Sequence, residues 1–368
     1  MKIIFCSNTS WYLWNYRYGL IQTLLASGNE IDILAPFDQT SEKFSRLGCN
    51  IYPISMNRKG VNVIQEIILV LRLYKVVKQV DPDVLVTFTV KPVIYIGLIA
   101  RFLGIPVAAT ITGLGTAFIR KSWVTKVVKK MYKAGLASAH TVLFQNADDR
   151  DLFVKEGLAR PKQAQQIPGS GIDLEKFSFL PKLDVGPEKL TIFLLAGRML
   201  WDKGIREYID AAKIVRDRYP NAVFQLLGEI GSDNVTAIPR AQILAWQDTG
   251  IISYLGVTSD IRPYIQEADC VVLPSYREGL SRTLLEAGAI GRPVLAARVT
   301  GCKEVVEDGR TGLLFHPRDS IDLAEKMSDF MVLPRVDRDR MGREARLKME
   351  KEFDEKFVIQ RYCKIISR

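Results

Sequence analysis

Histidine is nearly absent: the 368 residues hold two, His140 and His316, far apart in the chain. That excludes a histidine-based metal cluster. Cysteine is sparse and odd in number, with Cys6, Cys49, Cys270, Cys302 and Cys363 widely spaced and no Cys-x-x-Cys. Such a set excludes a disulfide framework and a zinc site, and fits reduced thiols in a cytosol. An unbroken apolar run long enough for a bilayer, about 20 residues, is missing too. Pro92–Ile111 comes nearest, but Arg101 interrupts it and Gly104-Ile105-Pro106 punctuates it. A helix over about 92–103 followed by a strand over 106–111 is expected instead. The apolar opening Met1–Cys6 turns polar at Ser7. It is shorter than the roughly 7–15 residues of a secretory core and reads as a buried first strand. Short repeats and low-complexity tracts are also lacking.

Acid is scarce in one half only. Residues 1–167 carry 21 basic and 11 acidic side chains, and the remaining 201 carry 30 of each, so the net charge of +10 belongs wholly to the first half. An excess of this kind points to a polyanionic partner for that half: nucleic acid, anionic lipid or a phosphorylated molecule. The remaining composition, 48% apolar and 25% charged, is that of a globular protein, and the length predicts two or three domains.

Short apolar runs alternate with amphipathic stretches. Strands are expected at Lys2–Cys6, Glu30–Ala35, Val84–Thr87, Val107–Thr110 and Val142–Phe144, with helices at Tyr16–Ser27 and Val63–Gln79. A Pro/Gly-rich section follows (Pro161, Pro168, Gly169, Gly171, Pro181, Pro187) and the pattern restarts. Its strands are Thr191–Ala196, Val223–Leu227, Ile252–Leu255, Cys270–Leu273, Val294–Ala296 and Gly312–Phe315. Its helices are Gly204–Arg218, Ile261–Glu267, Ser281–Ala289, Lys303–Glu307 and Ile321–Phe330. Alternation of this type implies two doubly wound α/β domains, each a parallel sheet covered on both faces. The expected domains are 1–167 and 168–368, facing a cleft. A C-terminal helix over about 350–368 either packs back on the first domain or extends the second. Ligands of such sheets sit at the carboxyl ends of strands.

Two segments fall at those ends. Glu278-Gly279-Leu280-Ser281-Arg282-Thr283-Leu284-Leu285-Glu286 follows the strand ending at Leu273. Gly279 lets backbone approach a ligand, and the N–H groups of Leu280 and Ser281 open a helix whose positive dipole end suits phosphate. The carboxylates of Glu278 and Glu286 suit hydroxyls. Gly197-Arg198-Met199-Leu200-Trp201-Asp202-Lys203-Gly204 follows Thr191–Ala196. Arg198 and Lys203 there could hold a diphosphate and neutralise the charge that develops as it leaves. Each segment also has a plainer reading, as surface carboxylates and as solvated cations of a loop.

Taken together, Arg198…Lys203 and Glu278-x7-Glu286 in a two-domain α/β chain resemble the GT-B glycosyltransferases of family 4. Gly169-Ser170-Gly171-Ile172-Asp173, Leu227-Gly228, Tyr254-Leu255-Gly256 and the run from Gly301 to Leu314 extend the likeness. Arg198–Gly204 and Thr110–Gly115 look closest to bacterial enzymes that extend undecaprenyl-diphosphate-linked glycans with N-acetylgalactosamine or a similar sugar. The resemblance implies a retaining, metal-independent sugar transfer from a nucleotide-sugar, UDP ahead of GDP, with no cofactor and no protein nucleophile. It implies that Arg198 and Lys203 stabilise the leaving diphosphate and that Glu278 contacts donor hydroxyls. It also implies that Glu286 binds the ribose, that Gly279, Leu280 and Ser281 contact phosphate or sugar oxygens, and that Gly228, Gly256 and Val257 lie near the base. Acceptor contacts are expected from Asn8, Thr9, Arg17, Thr112 and Gly113. Two departures stand out: Ser7-Asn8-Thr9-Ser10-Trp11 replaces a Gly-Gly loop, and Thr112-Gly113 stands where many relatives carry a histidine.

Asp81-Pro82-Asp83 matches a metal-binding Asp-x-Asp but precedes a strand, so it is read as a turn away from the site. Gly113-Leu114-Gly115 lacks the third glycine of a dinucleotide fingerprint. The segment Ile119–Lys133 carries Arg120, Lys121, Lys126, Lys129, Lys130 and Lys133 without one acid. Interleaved Trp123 and aliphatic residues suit an anionic bilayer surface; a helix packed on its own sheet with solvated lysines is the other reading. Arg58, Lys59, Arg72, Lys75 and Lys78 could extend the patch. The expectation is a cytoplasmic enzyme held peripherally on the inner membrane face, acting on a polyprenyl-diphosphate-linked glycan. A nucleotide-sugar 2-epimerase of the same fold and a nucleic-acid-binding protein are the competing readings, the latter without a recognised motif.

Overall fold

The computed structural model describes residues 1–56, 62–114, 123–182, 190–231 and 234–367. The chain divides into two compact units, Met1–Ser170 with Glu355–Arg368, and Gly171–Asp354.

The first unit is built on a seven-stranded parallel sheet of order β3-β2-β1-β4-β5-β6-β7. Its strands are β1 (Lys2–Cys6), β2 (Glu30–Ala35), β3 (Asn50–Pro53), β4 (Val84–Phe88), β5 (Val107–Ile111), β6 (Thr141–Phe144) and β7 (Ala164–Gln166). Its helices are α1 (Ser10–Ala26), α2 (Ser41–Arg46), α3 (Val63–Val80), α4 (Val90–Leu103), α5 (Trp123–Leu136) and α6 (Ala147–Lys155). The near-continuous burial of β1, β4 and β5 reflects a sheet covered on both faces. On one face, Leu69, Leu73 and Val77 of α3, Val93 and Ile96 of α4 and Tyr132 and Leu136 of α5 close a core over Ile4, Leu85 and Val142. On the other, Leu13, Leu20 and Ile21 of α1 and Val358 and Tyr362 of the C-terminal helix pack on Phe5, Val86 and Phe88. No described helix is long and apolar enough to cross a membrane.

The second unit has a six-stranded parallel sheet of order β10-β9-β8-β11-β12-β13. The strands are β8 (Thr191–Ala196), β9 (Ala222–Leu227), β10 (Ser253–Tyr254), β11 (Cys270–Leu273), β12 (Val294–Ala297) and β13 (Gly312–Phe315). The helices are α7 (Ile205–Arg218), α8 (Arg240–Asp248), α9 (Arg262–Glu267), α10 (Arg282–Ile290), α11 (Ser320–Val332) and α12 (Arg335–Lys348), and the chain ends in α13 (Glu355–Ile366) of the first unit.

Three expectations change. The helix expected at Tyr16–Ser27 begins six residues earlier, because Thr9 caps it: its hydroxyl accepts the Tyr12 N–H at 3.1 Å, satisfying an orphan donor of the first turn. Lys303–Glu307 forms turns rather than a helix. The Val305 and Val306 N–H groups both donate to Cys302 O, and a single turn without propagation does not offset its nucleation cost. The C-terminal stretch is split by extended Asp354 into a π-helical Met349–Phe353 and α13.

Candidate functional site

In each sheet the strand order reverses once: between β1 and β4 in the first unit and between β8 and β11 in the second. The loops leaving the carboxyl ends at such a point diverge and leave a crevice.

In the second unit the crevice is lined by Gly197-Arg198 after β8 and by Pro274 to Glu278 after β11. A 3-10 turn, Trp201–Lys203, carries Lys203. Gly204 follows it so closely against β11 that a Cβ there would lie 2.1 Å from Pro274 O. The Tyr276 N–H donates to Asp202 O at 2.9 Å, and the Glu278 N–H to Thr300 O at 3.0 Å. These ties bring Lys203 Nζ to 2.5 Å from Glu278 Oε1, with both side chains largely shielded. Arg198 is exposed and has no side-chain partner among the described residues.

Behind Glu278, α10 starts at a proper cap. The Ser281 hydroxyl accepts the Leu284 N–H at 3.3 Å. The Ser281 N–H, expected to face a ligand, instead donates to Gly301 O at 3.0 Å, so it is not a phosphate donor. The Leu280 N–H has no backbone acceptor among the described residues. At the first residue of the helix, Arg282 Nη2 lies 3.2 Å from Oε1 of Glu286, one turn on, while Nη1 donates to Gly171 O at 2.5 Å. Burial holds the Glu286 carboxyl above its ordinary range, with Arg282 opposing the shift. Gly197, Gly228 and Gly256 line up at the ends of β8, β9 and β10: the Gly228 N–H donates to Gly256 O at 2.8 Å, and the Tyr254 hydroxyl to Gly228 O at 2.8 Å. Val257 beyond them is exposed.

In the first unit, Asn8, Thr112 and Gly113 follow β1 and β5 on the carboxyl edge. The Asn8 N–H donates to Thr89 Oγ1 at 3.3 Å across the β1/β4 reversal. Thr89 itself has φ 67° and ψ 163°, a conformation that non-glycine residues seldom hold outside sites of function. Lys91 and Tyr95 of α4 both bind Glu66 of α3 here, the tyrosine at 2.6 Å. Thr89, Lys91 and Glu66 escaped the sequence reading because only strand order marks this edge. Thr9 accepts the cap hydrogen bond and keeps its own hydroxyl hydrogen to donate, whereas the expectation for Arg17 is corrected. Arg17 is buried, with its guanidinium 4.9 Å from the Phe88 ring centroid and 5.4 Å from that of Tyr362. It is a cation–π strut, with no surface left for a diphosphate.

Asp81-Pro82-Asp83 lies at the opposite, amino edge, where Asp83 accepts the Lys2 N–H at 2.7 Å. His140 and His316 are both exposed, and the imidazole of His316 lies 2.7 Å from Asp322. Of the basic helix, Arg120 and Lys121 lie outside the described residues, as do Arg58, Lys59 and the side chain of Trp123. Lys129, expected on the membrane face, is tied in an ion pair with Glu156 at 2.7 Å. Thr125, Tyr132, Gly135 and Leu136 turn inward, leaving Lys126, Lys130 and Lys133 exposed.

Two parallel α/β sheets, with cations and carboxylates meeting at a strand-order reversal in the second, fit the GT-B fold of glycosyltransferases. The chain belongs to the family-4-like glycosyltransferases: residues 2–146 match the family described as "Glycosyl transferase 4-like", and residues 191–331 match "Glycosyl transferases group 1". It is 28% identical, over 100% of its length and 99% of the relative's, to the N,N'-diacetylbacillosaminyl-diphospho-undecaprenol alpha-1,3-N-acetylgalactosaminyltransferase of Campylobacter jejuni. It is 26% identical, over 71% of its length and 69% of the relative's, to an Escherichia coli UDP-Gal:alpha-D-GlcNAc-diphosphoundecaprenol alpha-1,3-galactosyltransferase. Among solved structures, Anabaena HepE in complex with UDP and glucose superposes with a TM-score of 0.81 at 17% identity, covering 100% of this chain and 99% of that one, a likeness of fold.

Proposed function

We propose that this glycosyltransferase moves a sugar from a UDP-sugar, with N-acetylgalactosamine or a similar hexose as the sugar, to a saccharide carried on polyprenyl diphosphate, with retention of anomeric configuration. The Lys203–Glu278 pair at the β8/β11 reversal carries this reading. In it, Arg198 and Lys203 take up the leaving diphosphate, Glu278 orients the donor sugar's hydroxyls, and Glu286 holds the ribose. The departing phosphate accepts the acceptor's proton, so the reading needs neither a metal nor a protein nucleophile. Both relatives are named for undecaprenyl-diphosphate acceptors, and the basic surplus of residues 1–167 suits the inner membrane face that presents such lipids. The test is UDP release from a panel of UDP- and GDP-sugars with and without undecaprenyl-diphosphate-linked saccharide. Release that requires the glycolipid supports the reading; turnover by the protein and donor alone, with sugar isomerisation, sinks it in favour of an epimerase.

Glu286 supplies a check on the ribose role. A carboxyl raised in the folded state favours folding while protonated, and that contribution is lost as pH rises through the raised value. Glu286→Gln removes a buried charge at pH 7. Its melting temperature without ligand should therefore equal or exceed wild type by about 1–3 °C, with the gain vanishing towards pH 4, while UDP affinity falls roughly tenfold. A melting temperature that drops at pH 7 with unchanged UDP affinity would make Glu286 purely structural.

A further inference from the structure

Helix α3 is apolar on two sides. Leu69, Leu73, Val77 and Val80 face the core, as a surface helix requires. On the outward side, Val63, Ile64, Ile67, Ile68 and Leu71 are between 43% and 70% exposed, where a surface helix ordinarily carries polar residues. At 3.6 residues per turn, Ile64, Ile67, Ile68 and Leu71 fall within an arc of about 100° and run roughly 10 Å along the axis. Lys75 and Lys78 continue the same arc and Arg72 borders it; all three are exposed and make no ion pair among the described residues. The only carboxylate of α3, Glu66, points away, bound to Lys91 and Tyr95. Phe102, 78% exposed at the end of α4, packs edge-on against Tyr74 of α3.

We infer that the outward face of α3 seats in the interfacial layer of an anionic bilayer. Its branched side chains enter the acyl boundary, and Arg72, Lys75 and Lys78 meet the headgroups. A contiguous apolar stripe ending in exposed cations, with Lys78 lying 6.0 Å over the Tyr74 ring and no acid on the arc, matches that surface. A second protein would need acids to meet the cations. Position supports the choice. The Glu66–Lys91 contact fixes the first turns of α3 beside the start of α4, at the carboxyl edge where Asn8 and Thr89 meet. The apolar stripe therefore lies next to the acceptor edge, where a lipid-anchored substrate has to leave the membrane. On α5, by contrast, Tyr132 and Leu136 are spent on the core, and among its described residues Val127 is the one large apolar side chain exposed beside Lys126, Lys130 and Lys133. The inference deepens the lipid-linked-acceptor reading and rests on it for the acceptor alone.

The experiment is flotation of the full chain with phosphatidylcholine vesicles and with vesicles containing phosphatidylglycerol, alongside turnover on a short-chain, water-soluble polyprenyl-diphosphate saccharide. Wild type should float with the anionic vesicles. Ile64→Ser/Ile67→Ser/Ile68→Ser/Leu71→Ser should cut recovery at least tenfold, and Lys75→Glu/Lys78→Glu should abolish the preference for anionic lipid. Both should keep normal turnover on the soluble acceptor. Unchanged flotation of the serine variant overturns the inference, as does a wild-type dimer by light scattering that the serine variant converts to monomer. Absent turnover on the soluble acceptor by wild type, with flotation as described, would instead count against the function reading.

Discussion

Lys203→Ala and Glu278→Ala should each lower turnover by roughly a thousandfold while leaving the melting temperature within a few degrees of wild type. The magnitude follows from the role: a charged donor aimed at developing negative charge is worth about 10²–10³ in rate when removed, and here the loss is compounded by the partner left behind. Lys203 and Glu278 touch at 2.5 Å with side chains 22% and 15% exposed. Deleting one leaves the other's charge without its partner at the reacting centre, where the residual exposure of both side chains still lets water reach it. The small stability cost follows because neither side chain belongs to the cores that hold the second unit together. Groups that act as a unit are non-additive, so the double variant should be scarcely worse than either single one. Arg198, exposed and without a side-chain partner among the described residues, should lose less on truncation because it leaves no buried charge behind. UDP release at saturating donor and acceptor is the measurement, and near-normal rates in both single variants would refute the site.

How much of this was legible in sequence depends on what each feature is made of. β1, β2, β8, β11 and β13 were placed to the residue because buried parallel strands are continuous apolar runs bounded by polar ones. β3 and β7 escaped because both are short and half-exposed, so neither periodicity nor apolarity marks them. The chemistry at the ends of β8 and β11 was legible because Arg198, Lys203 and Glu278 sit in loops with few structural reasons for charge. Availability of backbone groups was not: the Ser281 N–H is taken by Gly301 O, a partner twenty residues on. Nor was the fate of Arg17, since its aromatic neighbours Phe88 and Tyr362 come from distant parts of the chain. The basic helix taught the same lesson in reverse. Charge counts located the surplus, but only packing shows that Tyr132 and Leu136 of α5 turn into the core while α3 has a second apolar face to spare.

Gly301→Ala should cost about a hundredfold in turnover although residue 301 carries no chemistry. Gly301 has φ +84°, and a Cβ there would sit 2.6 Å from the carbonyl carbon, the oxygen and the Cβ of Glu278. Three atoms at that range are all part of the residue that must meet Lys203, and two are backbone, so rotating a side chain cannot make room. The loop has to move, and a carboxylate displaced by about 1 Å from its productive position loses on that order of rate. Strain alone could be suspected, since alanine in a left-handed conformation costs roughly 1–2 kcal/mol, or about 2–8 °C of melting temperature in a domain this size. Gly309 separates the two effects: it has φ +76°, and a Cβ there meets nothing within 4 Å. Gly309→Ala should therefore show the same loss of melting temperature with turnover near wild type, while Gly301→Ala loses both. Equal turnover in the two variants would mean that Gly301 serves the fold and not the placement of Glu278.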